Sequence, residues 1–450
     1  MDNFLRNLEK ATKAQRKGDL KKAEKLFKIA LRREPHHPLV NTALGTLYIQ
    51  KEMYGHAAKL LHKALVTDPT LSEPINNLAV ALRNLGDEEQ ALEILEDGVK
   101  KFPEDTNMFC NAGSLAFTMG EWDKAEKYLR HSIALKEDHN DAHWNLGLCL
   151  LTQAKYEEGW QEYDWGLRAG ERVSRPYWNE YPEWLGEDLE GKTLLIWGEQ
   201  GLGDEILFSS CIQFLEKTNI IFDCHPRLLP IFQRSYPDIH CVGARKDEDW
   251  GWLNHHEIDH FIPIGSLPGM FPGQFPEGSW LKADKKDVSK WKKRLGKKPK
   301  IGISWQGGSR KNASARRSMP LAKIMDKIKH HDVQWVSLQY TDCYNELADF
   351  AKSTGIQLLH DPYAIENYDE TAALVSSLDL IITVCTSAGH LAGSLGVPTW
   401  VMCPQASPWR WPLGEKHPWY ASVKQYHQND RHDWEPVLER VAKDLEAFLA

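Results

Sequence analysis

Several patterns that mark common protein classes are missing from this chain of 450 residues. Its eight cysteines are scattered and form no C-x-x-C pair, which argues against structural zinc and favours a reduced, cytoplasmic setting. No run of about 18 apolar residues occurs, so no membrane-spanning helix is predicted. The first residues contain no apolar segment of signal-peptide length. The net charge of −8, without a long basic run, argues against nucleic acid as a partner.

A 34-residue period runs through the first third of the chain. The repeated small residues are Ala23, Ala57, Ala91 and Ala125. The repeated prolines are Pro35, Pro69 and Pro103. This pattern resembles the tetratricopeptide repeat, in which small residues lie where two helices cross and a proline ends the second helix. We predict five repeats, at 4–37, 38–71, 72–105, 106–139 and 140–173, which form an α solenoid over residues 1–173.

Asparagines follow the same period at Asn77, Asn111 and Asn145. Each precedes the small residue of a first helix, and a side-chain amide offers both a donor and an acceptor to a peptide backbone. The ladder resembles the superhelix of the nucleocytoplasmic O-linked N-acetylglucosamine transferase, where asparagines hold the acceptor polypeptide. The resemblance implies that these three residues bind a protein or peptide acceptor. The alternative is that the amides satisfy contacts between helices.

Beyond an aromatic junction at 174–190, which we interpret as packing, the pattern becomes that of an α/β protein. Predicted strands are 193–197, 219–223, 240–242, 260–263, 300–305, 334–339, 357–360, 380–384 and 399–403. The charged segment 292–299 is interpreted as a solvated linker between two Rossmann-like lobes, 191–296 and 297–450. We therefore expect parallel sheets in both lobes.

Two strand ends carry the residues with the clearest chemistry. The first predicted strand runs into a turn with Gly201, Gly203 and Asp204, followed by a helix. A carboxylate there suits proton abstraction from a hydroxyl, although Asp204 would equally cap the helix. The strand 380–384 runs into Thr386 and Ser387 before another helix. Small residues, hydroxyls and a helix N-terminus make that turn a suitable seat for a diphosphate.

Segments 197–210, 302–309 and 383–398 together resemble the heptosyltransferase-like glycosyltransferases of the two-lobed GT-B fold. The resemblance is strongest to bacterial proteins that fuse a tetratricopeptide array to such a domain. It implies a nucleotide-diphospho-sugar donor on the C-terminal lobe and Asp204 as the base on the N-terminal, acceptor lobe. It also implies catalysis that needs no metal and no further cofactor. The acidic stretch 247–249 is not interpreted as a metal site, because it lies in a polar loop and does not directly follow a strand.

The resemblance assigns further residues to the donor and acceptor sites. The implied diphosphate contacts are Thr386, Ser387, Gly389 and His390. The residues implied to border the same pocket are Ser304, Gln306, Gly307 and Gly308. Gln339 and Tyr340 would flank the nucleoside, and Gly201 and Gly203 would line the acceptor side. Arg410 lies in a segment that either closes over the donor or packs rigidly. One of four basic residues would reach the β-phosphate, with the choice left open: Arg310, Lys311, Arg316 or Arg317.

We therefore predict a transferase that moves a sugar onto a hydroxyl of a protein held by the repeat array. A first alternative is a scaffold whose α/β part senses sugar nucleotides without catalysis. A second is a transferase acting on lipopolysaccharide or another glycan. The absence of a basic amphipathic helix for docking on membranes argues against the second alternative.

Overall fold

The computed structural model describes residues 3–172, 180–244, 250–307, 316–431 and 433–450. The chain divides into two compact units, Met1–Cys149 and Leu150–Ala450. In the described part of the chain, no helix combines the length and the apolarity needed to cross a lipid bilayer. All eight cysteines are buried and none forms a disulfide.

The chain up to Thr152 consists of consecutive helices, of which the first eight pack in pairs. They are α1 (Asn3–Arg16), α2 (Leu20–Arg33), α3 (Pro38–Gln50), α4 (Tyr54–Thr67), α5 (Glu73–Leu85), α6 (Glu88–Lys101), α7 (Thr106–Met119), α8 (Trp122–Leu135) and α9 (Asn140–Thr152).

The small residues of the 34-residue period are required by the way these helices cross. The four repeated alanines are completely buried. A methyl group added to Gly45 would lie 2.7 Å from Leu61 Cγ, and one added to Gly113 would lie 2.6 Å from Leu129 Cγ. The repeated prolines follow the ends of α2, α4 and α6 by two residues. The predicted helix–turn–helix unit is therefore confirmed.

Strands alternate with helices in the second unit. The strands are β1 (Thr193–Trp197), β2 (Asn219–Asp223), β3 (His240–Val242), β4 (His260–Pro263), β5 (Lys300–Ser304), β6 (Gln334–Ser337), β7 (Leu380–Val384), β8 (Thr399–Cys403) and β9 (Val423–His427). The helices are α10 (Tyr156–Tyr163), α11 (Leu202–Ser209), α12 (Leu229–Ser235), α13 (Lys285–Leu295), α14 (Leu321–Ile328), α15 (Tyr344–Thr354), α16 (Pro362–Glu366), α17 (Tyr368–Val375), α18 (Ser387–Ser394) and α19 (Glu435–Leu449).

These strands form two parallel sheets, as expected for an α/β protein. The strand orders are β3-β2-β1-β4 in the first lobe and β6-β5-β7-β8-β9 in the second. The direction of winding reverses once in each sheet, between β1 and β4 and between β5 and β7. Ligands of open parallel sheets bind outside the carboxyl ends of the strands at such reversal points. The turns predicted to be functional follow β1, β5 and β7.

One predicted strand was wrong, and one strand of the structure was not predicted. Residues 357–360 form no strand; Leu359 makes an isolated bridge to Val336 beside the sheet edge. The strand β9 was not predicted, and it pairs with β8 as the opposite edge of the second sheet. Three of its five residues are polar, Lys424, Gln425 and His427, so it lacks the short apolar run on which the other strand predictions relied.

Candidate functional site

The candidate site lies where helix α11 of the first lobe meets helix α18 of the second. The two helices pack against each other at their N-terminal ends. A methyl group added to Gly203 would lie 2.9 Å from His390 Cδ2 and 3.4 Å from Ser387 Cα. The turn that carries Asp204 therefore directly adjoins the turn predicted to bind phosphate.

We expect Gly203→Ala to destabilise this junction by about 1–3 kcal/mol, because the methyl group has to displace a buried ring or the backbone of Ser387. Gly201→Ala is the matched control, since its nearest neighbour would be Asp204 Oδ2 at 3.3 Å. Urea unfolding followed by tryptophan fluorescence measures both variants. Equal stabilities would contradict the close approach of the two helices.

Asp204 both caps its helix and pairs with an arginine of the other lobe. Its Oδ2 accepts the N–H of Gly201 at 3.3 Å, and its Oδ1 accepts from Arg410 Nε. Arg410 Nη2 also donates to Gln200 Oε1 at 3.2 Å. Asp204 can therefore cap α11 and still lie at the junction of the lobes, where a catalytic base would be needed. Arg410, which was predicted near phosphate, lies with Asp204 at the junction of the lobes.

The side-chain amide of Gln339 is hydrogen-bonded to the backbone of the loop that follows β5 and supports it. Gln339 Oε1 accepts the backbone N–H groups of Trp305 at 3.1 Å and Gln306 at 3.0 Å, and its Nε2 donates to Gln306 O at 3.0 Å. Ser304 and Gln339 are completely buried. Contact of Gln339 with a nucleoside, as predicted, would require these bonds to be given up. Tyr340 is 45% exposed at the same strand end.

The turn before α18 is tightly packed. Thr386 Oγ1 lies 3.0 Å from Thr383 Oγ1. A methyl group added to Gly307 would lie 2.6 Å from Thr386 Cγ2, so the loops after β5 and β7 are in contact. Gly389 faces the ring of Trp411, and its N–H is bonded to Thr386 O at 3.1 Å. Of the predicted diphosphate residues in this turn, Ser387 is half-buried whereas Thr386 and Gly389 are buried.

His390 is buried and hydrogen-bonded rather than charged. Its Nδ1 lies 2.9 Å from Tyr420 Oη, and its ring centroid is 4.5 Å from that of Trp411. Burial holds the pKa of His390 well below its ordinary value, and the nearby His417, Arg410 and Arg317 lower it further. At neutral pH this residue would therefore offer a phosphate a hydrogen bond but no charge.

The buried histidines predict that acid destabilises the second unit. Burial lowers the pKa of His417 to about 3. His417 Nδ1 accepts the N–H of Trp419 at 3.1 Å and Nε2 faces Arg410 O at 2.8 Å, so the folded ring cannot take a second proton. The unfolded chain protonates near pH 6.5, so stability falls below that pH, by about 2 kcal/mol per histidine at pH 5. Unfolding midpoints at pH 7.5 and 5.0 test this, and an unchanged pH slope in His417→Gln would contradict it.

A buried ionic network fills the reversal point of the first sheet. Arg172 Nε and Nη2 donate to Glu199 Oε1 at 3.1 and 3.0 Å, and Nη1 donates to Asp164 Oδ1 at 2.7 Å. A methyl group added to Gly265 would lie 2.5 Å from Glu199 Oε1, so this strand end has no spare volume. The sequence pattern did not single out Arg172, and it gave Glu199 no role although Glu199 lies within the segment 197–210; the two residues are 27 positions apart.

Some predicted residues cannot be placed. Gly308, Arg310 and Lys311 lie outside the described residues, as does the acidic stretch 247–249. The structure does describe Arg316 and Arg317, which directly follow the undescribed residues 308–315 in the sequence.

The three ladder asparagines lie on the first helices of their repeats and are half-buried. Asn77 Nδ2 donates to Thr46 Oγ1 at 2.9 Å, and Asn111 Nδ2 donates to Asn76 Oδ1 at 2.9 Å. Asn145 Nδ2 donates to Asp141 O within its own helix at 2.8 Å. Two of the amides therefore join neighbouring repeats, which was the alternative to peptide binding. Each amide carries a second N–H, so peptide binding stays a prediction.

Some known proteins are similar to the repeat array of this chain, and one is similar over nearly its whole length. Family models described as tetratricopeptide repeat match residues 8–72, 110–169 and 75–101. Protein FlbA of Caulobacter vibrioides is 28% identical over 97% of this chain and 83% of its own length. The yeast anaphase-promoting complex subunit CDC16 is 29% identical, over 27% of this chain and 15% of its own. Among solved structures, the tetratricopeptide-repeat protein TTC0263 of Thermus thermophilus has 22% sequence identity to this chain. The match covers 37% of this chain and 90% of TTC0263, with a TM-score of 0.33. The first part of the chain is therefore an array of tetratricopeptide repeats, and the similarity to FlbA extends through the α/β unit.

Proposed function

We propose that the second unit is a glycosyltransferase of the GT-B type, which moves a sugar from a nucleotide-sugar to a hydroxyl of a protein bound by the repeat array. The observation that carries this proposal is the direct approach of Gly203, next to Asp204, to Ser387 at the start of α18. One lobe thereby offers a carboxylate and the other offers a helix N-terminus at the same junction. The eight cysteines, none of them in a disulfide, suit a cytoplasmic setting.

The proposed reaction separates two tasks between the lobes. Asp204 accepts the proton of the acceptor hydroxyl as its oxygen attacks the anomeric carbon. The leaving phosphate accumulates negative charge, which the N-terminal dipole of α18 and nearby guanidinium groups stabilise. The residues that do this work are all supplied by the chain, so the proposed mechanism uses no metal.

Arg410 connects these two tasks. Its guanidinium is held by Asp204 and Gln200, and it is close enough to His390 to lower the pKa of that histidine. A phosphate at the start of α18 would compete with Asp204 for Arg410. Transfer of Arg410 to the phosphate would leave the carboxylate to accept a proton.

The binding half of the proposal is tested with a panel of UDP-, GDP-, ADP- and CMP-sugars. A true donor at 100 times its Kd should stabilise the folded protein by about 2.7 kcal/mol, which appears as a higher Tm. Incubation of that donor with co-expressed proteins, followed by mass spectrometry, then reports transfer. If no member raises the Tm, the proposal fails.

The engagement of Asp204 by Arg410 favours one other function, a scaffold that senses a nucleotide-sugar without turning it over. This function predicts a Tm shift without a mass increase on any protein and without donor hydrolysis. A transferase acting on lipopolysaccharide or another glycan would instead consume donor and leave proteins unmodified.

If the repeats hold the acceptor through their amides, the triple variant Asn77→Ala, Asn111→Ala, Asn145→Ala should raise the acceptor KM about tenfold, because each lost amide bond contributes roughly 1 kcal/mol or less. Donor affinity should not change. Asn84→Ala is a control, since Asn84 is exposed on α5 and donates to Val80 O of its own helix. Circular dichroism checks that the array remains folded. Parallel loss of donor and acceptor binding would contradict a role confined to the acceptor.

A further inference from the structure

Two buried polar groups near the start of α18 lack hydrogen-bond partners within the described chain. They are the hydroxyl of Tyr368 and Nε of Arg317. Tyr368 is only 7% exposed. Buried donors are rarely left unpaired because they have lost their bonds to water, so each such group requires an explanation.

The hydroxyl of Tyr368 lies beside the first residue of α18. Its side-chain interaction with Ser387, of the hydrogen-bond kind, lowers the pKa of Tyr368, although the hydroxyl makes no hydrogen bond of full geometry within the described residues. Burial dominates and raises the pKa of Tyr368 to about 12, so the hydroxyl keeps its proton. The guanidinium of Arg227, held by Ile365 O and Glu366 O, lies 5.2 Å from the ring centroid. This tyrosine is therefore a fixed donor in a positive environment.

Arg317 lies near the same turn, in the segment between β5 and α14. The next residue, Ser318, accepts the N–H of Gly307 at 3.1 Å, and Gly307 packs on Thr386. Arg317 is also close enough to His390 for its charge to lower the pKa of that ring. Arg317 thus lies at the carboxyl end of β5, beside the start of α18.

The ligand that fits these groups is an anion with several acceptor oxygens. The groups available are the first N–H groups of α18, the hydroxyl of Tyr368 and the guanidinium of Arg317, and they act as donors. A neutral sugar hydroxyl would have to supply an acceptor to each of them. A phosphate supplies three oxygens and the negative charge that a helix N-terminus and an arginine stabilise.

We propose that Tyr368 and Arg317 donate hydrogen bonds to a phosphate of the nucleotide at the start of α18. This inference rests on the proposed function. It adds Tyr368 to the donor site and selects Arg317 from the four basic residues among which the sequence left the choice open. It also explains why the two groups are buried without partners: the folded lobe holds them ready for a ligand, and phosphate binding satisfies them.

The test compares the affinities of Tyr368→Phe and Arg317→Gln with that of the unaltered full chain. The probes are UDP, GDP, ADP and CMP, each paired with its phosphate-free nucleoside, and binding is measured by calorimetry. Each variant should bind the preferred nucleotide about tenfold more weakly, because a bond to a charged phosphate is lost. Binding of the corresponding nucleoside should change less than about twofold, since the base and ribose keep their contacts.

Two matched variants and one stability measurement complete the test. Tyr363→Phe removes a hydroxyl from a 64% exposed tyrosine on α16, and Lys323→Gln removes an exposed positive charge on α14; neither should alter nucleotide affinity. Because the hydroxyl of Tyr368 has no partner within the described residues, Tyr368→Phe should have an unchanged or higher Tm without nucleotide. A lower Tm would assign the hydroxyl a structural bond and overturn the inference.

The outcomes separate the inference from the function it rests on. If the unaltered chain binds a nucleotide and both variants bind it equally well, the inference is overturned and the proposed function survives. If the unaltered chain binds none of the four nucleotides, both are overturned. Selective loss of nucleotide affinity in both variants supports both.

Discussion

Replacing Asp204 with asparagine should lower the rate of sugar transfer by about 100-fold or more, because general-base catalysis typically contributes that factor. The amide keeps the shape of the side chain, but its single oxygen can accept from Arg410 or from Gly201 and not from both, because these donors bind different oxygens of the carboxylate. It cannot accept the proton of the acceptor hydroxyl. Nucleotide affinity should not fall, because the neutral amide competes less strongly than the carboxylate with a phosphate for Arg410. Single-turnover transfer with saturating donor measures the chemical step.

Asp204→Glu provides the matched comparison, since it keeps the carboxylate but moves it by one methylene group. It should retain more transfer than the asparagine variant, because it still carries a carboxylate that can accept a proton. A variant Asp204→Asn that transfers sugar at the original rate would remove Asp204 as the base. Such a result would leave the phosphate seat at α18 untouched.

Replacing Arg172 with methionine should cost about 3–5 kcal/mol of stability in the second unit, because it leaves the buried Glu199 carboxylate without a countercharge. The side chains of Arg172 and Glu199 are 1% and 0% exposed. Arg172 also donates to Ser266 Oγ at 2.9 Å, so one substitution removes the centre of the network. Urea unfolding followed by the tryptophan fluorescence of this unit measures the loss.

Two variants separate the buried charge from the loss of arginine packing. The double variant Arg172→Met, Glu199→Gln should recover part of the stability, since a neutral amide is less costly to bury than a carboxylate. Lys217→Met breaks an exposed pair with Glu190, whose side chains are 69% and 64% exposed, and should cost less than about 1 kcal/mol. If Arg172→Met is no more destabilising than Lys217→Met, the network does not hold this strand end together.

The sequence predicted most strands and turns because these depend on local patterns. Buried runs such as 193–197 and 380–384 read as strands, and the glycines and hydroxyls after them read as helix starts. Strand β9 was missed because its polar residues interrupt the apolar pattern. The predicted strand 357–360 is only a bridge, since a short apolar run near a sheet edge is satisfied by a single pairing.

The roles of individual site residues were harder to predict. Gln339 was predicted to flank a nucleoside, yet its amide is saturated by the backbone of the β5 loop. Tyr368 carried no signal, because in sequence it is one aromatic residue at the start of a helix. Tyr368 stands out only in the structure, where its hydroxyl is buried without a hydrogen-bond partner among the described residues. Burial of this kind is produced by the packing of separate elements and leaves no local sequence pattern.

The sequence by itself determined the 34-residue repeat, the parallel α/β lobes and the two turns that follow β1 and β7. These features follow from periodicity, apolar runs and glycine positions, which neighbouring residues encode. Only the tertiary structure decided that Asp204 pairs with Arg410, that Arg172 is buried against Glu199, and that Gly203 touches the start of α18. Those contacts join residues up to 206 positions apart, and no local pattern records which distant side chain a packed fold brings into reach.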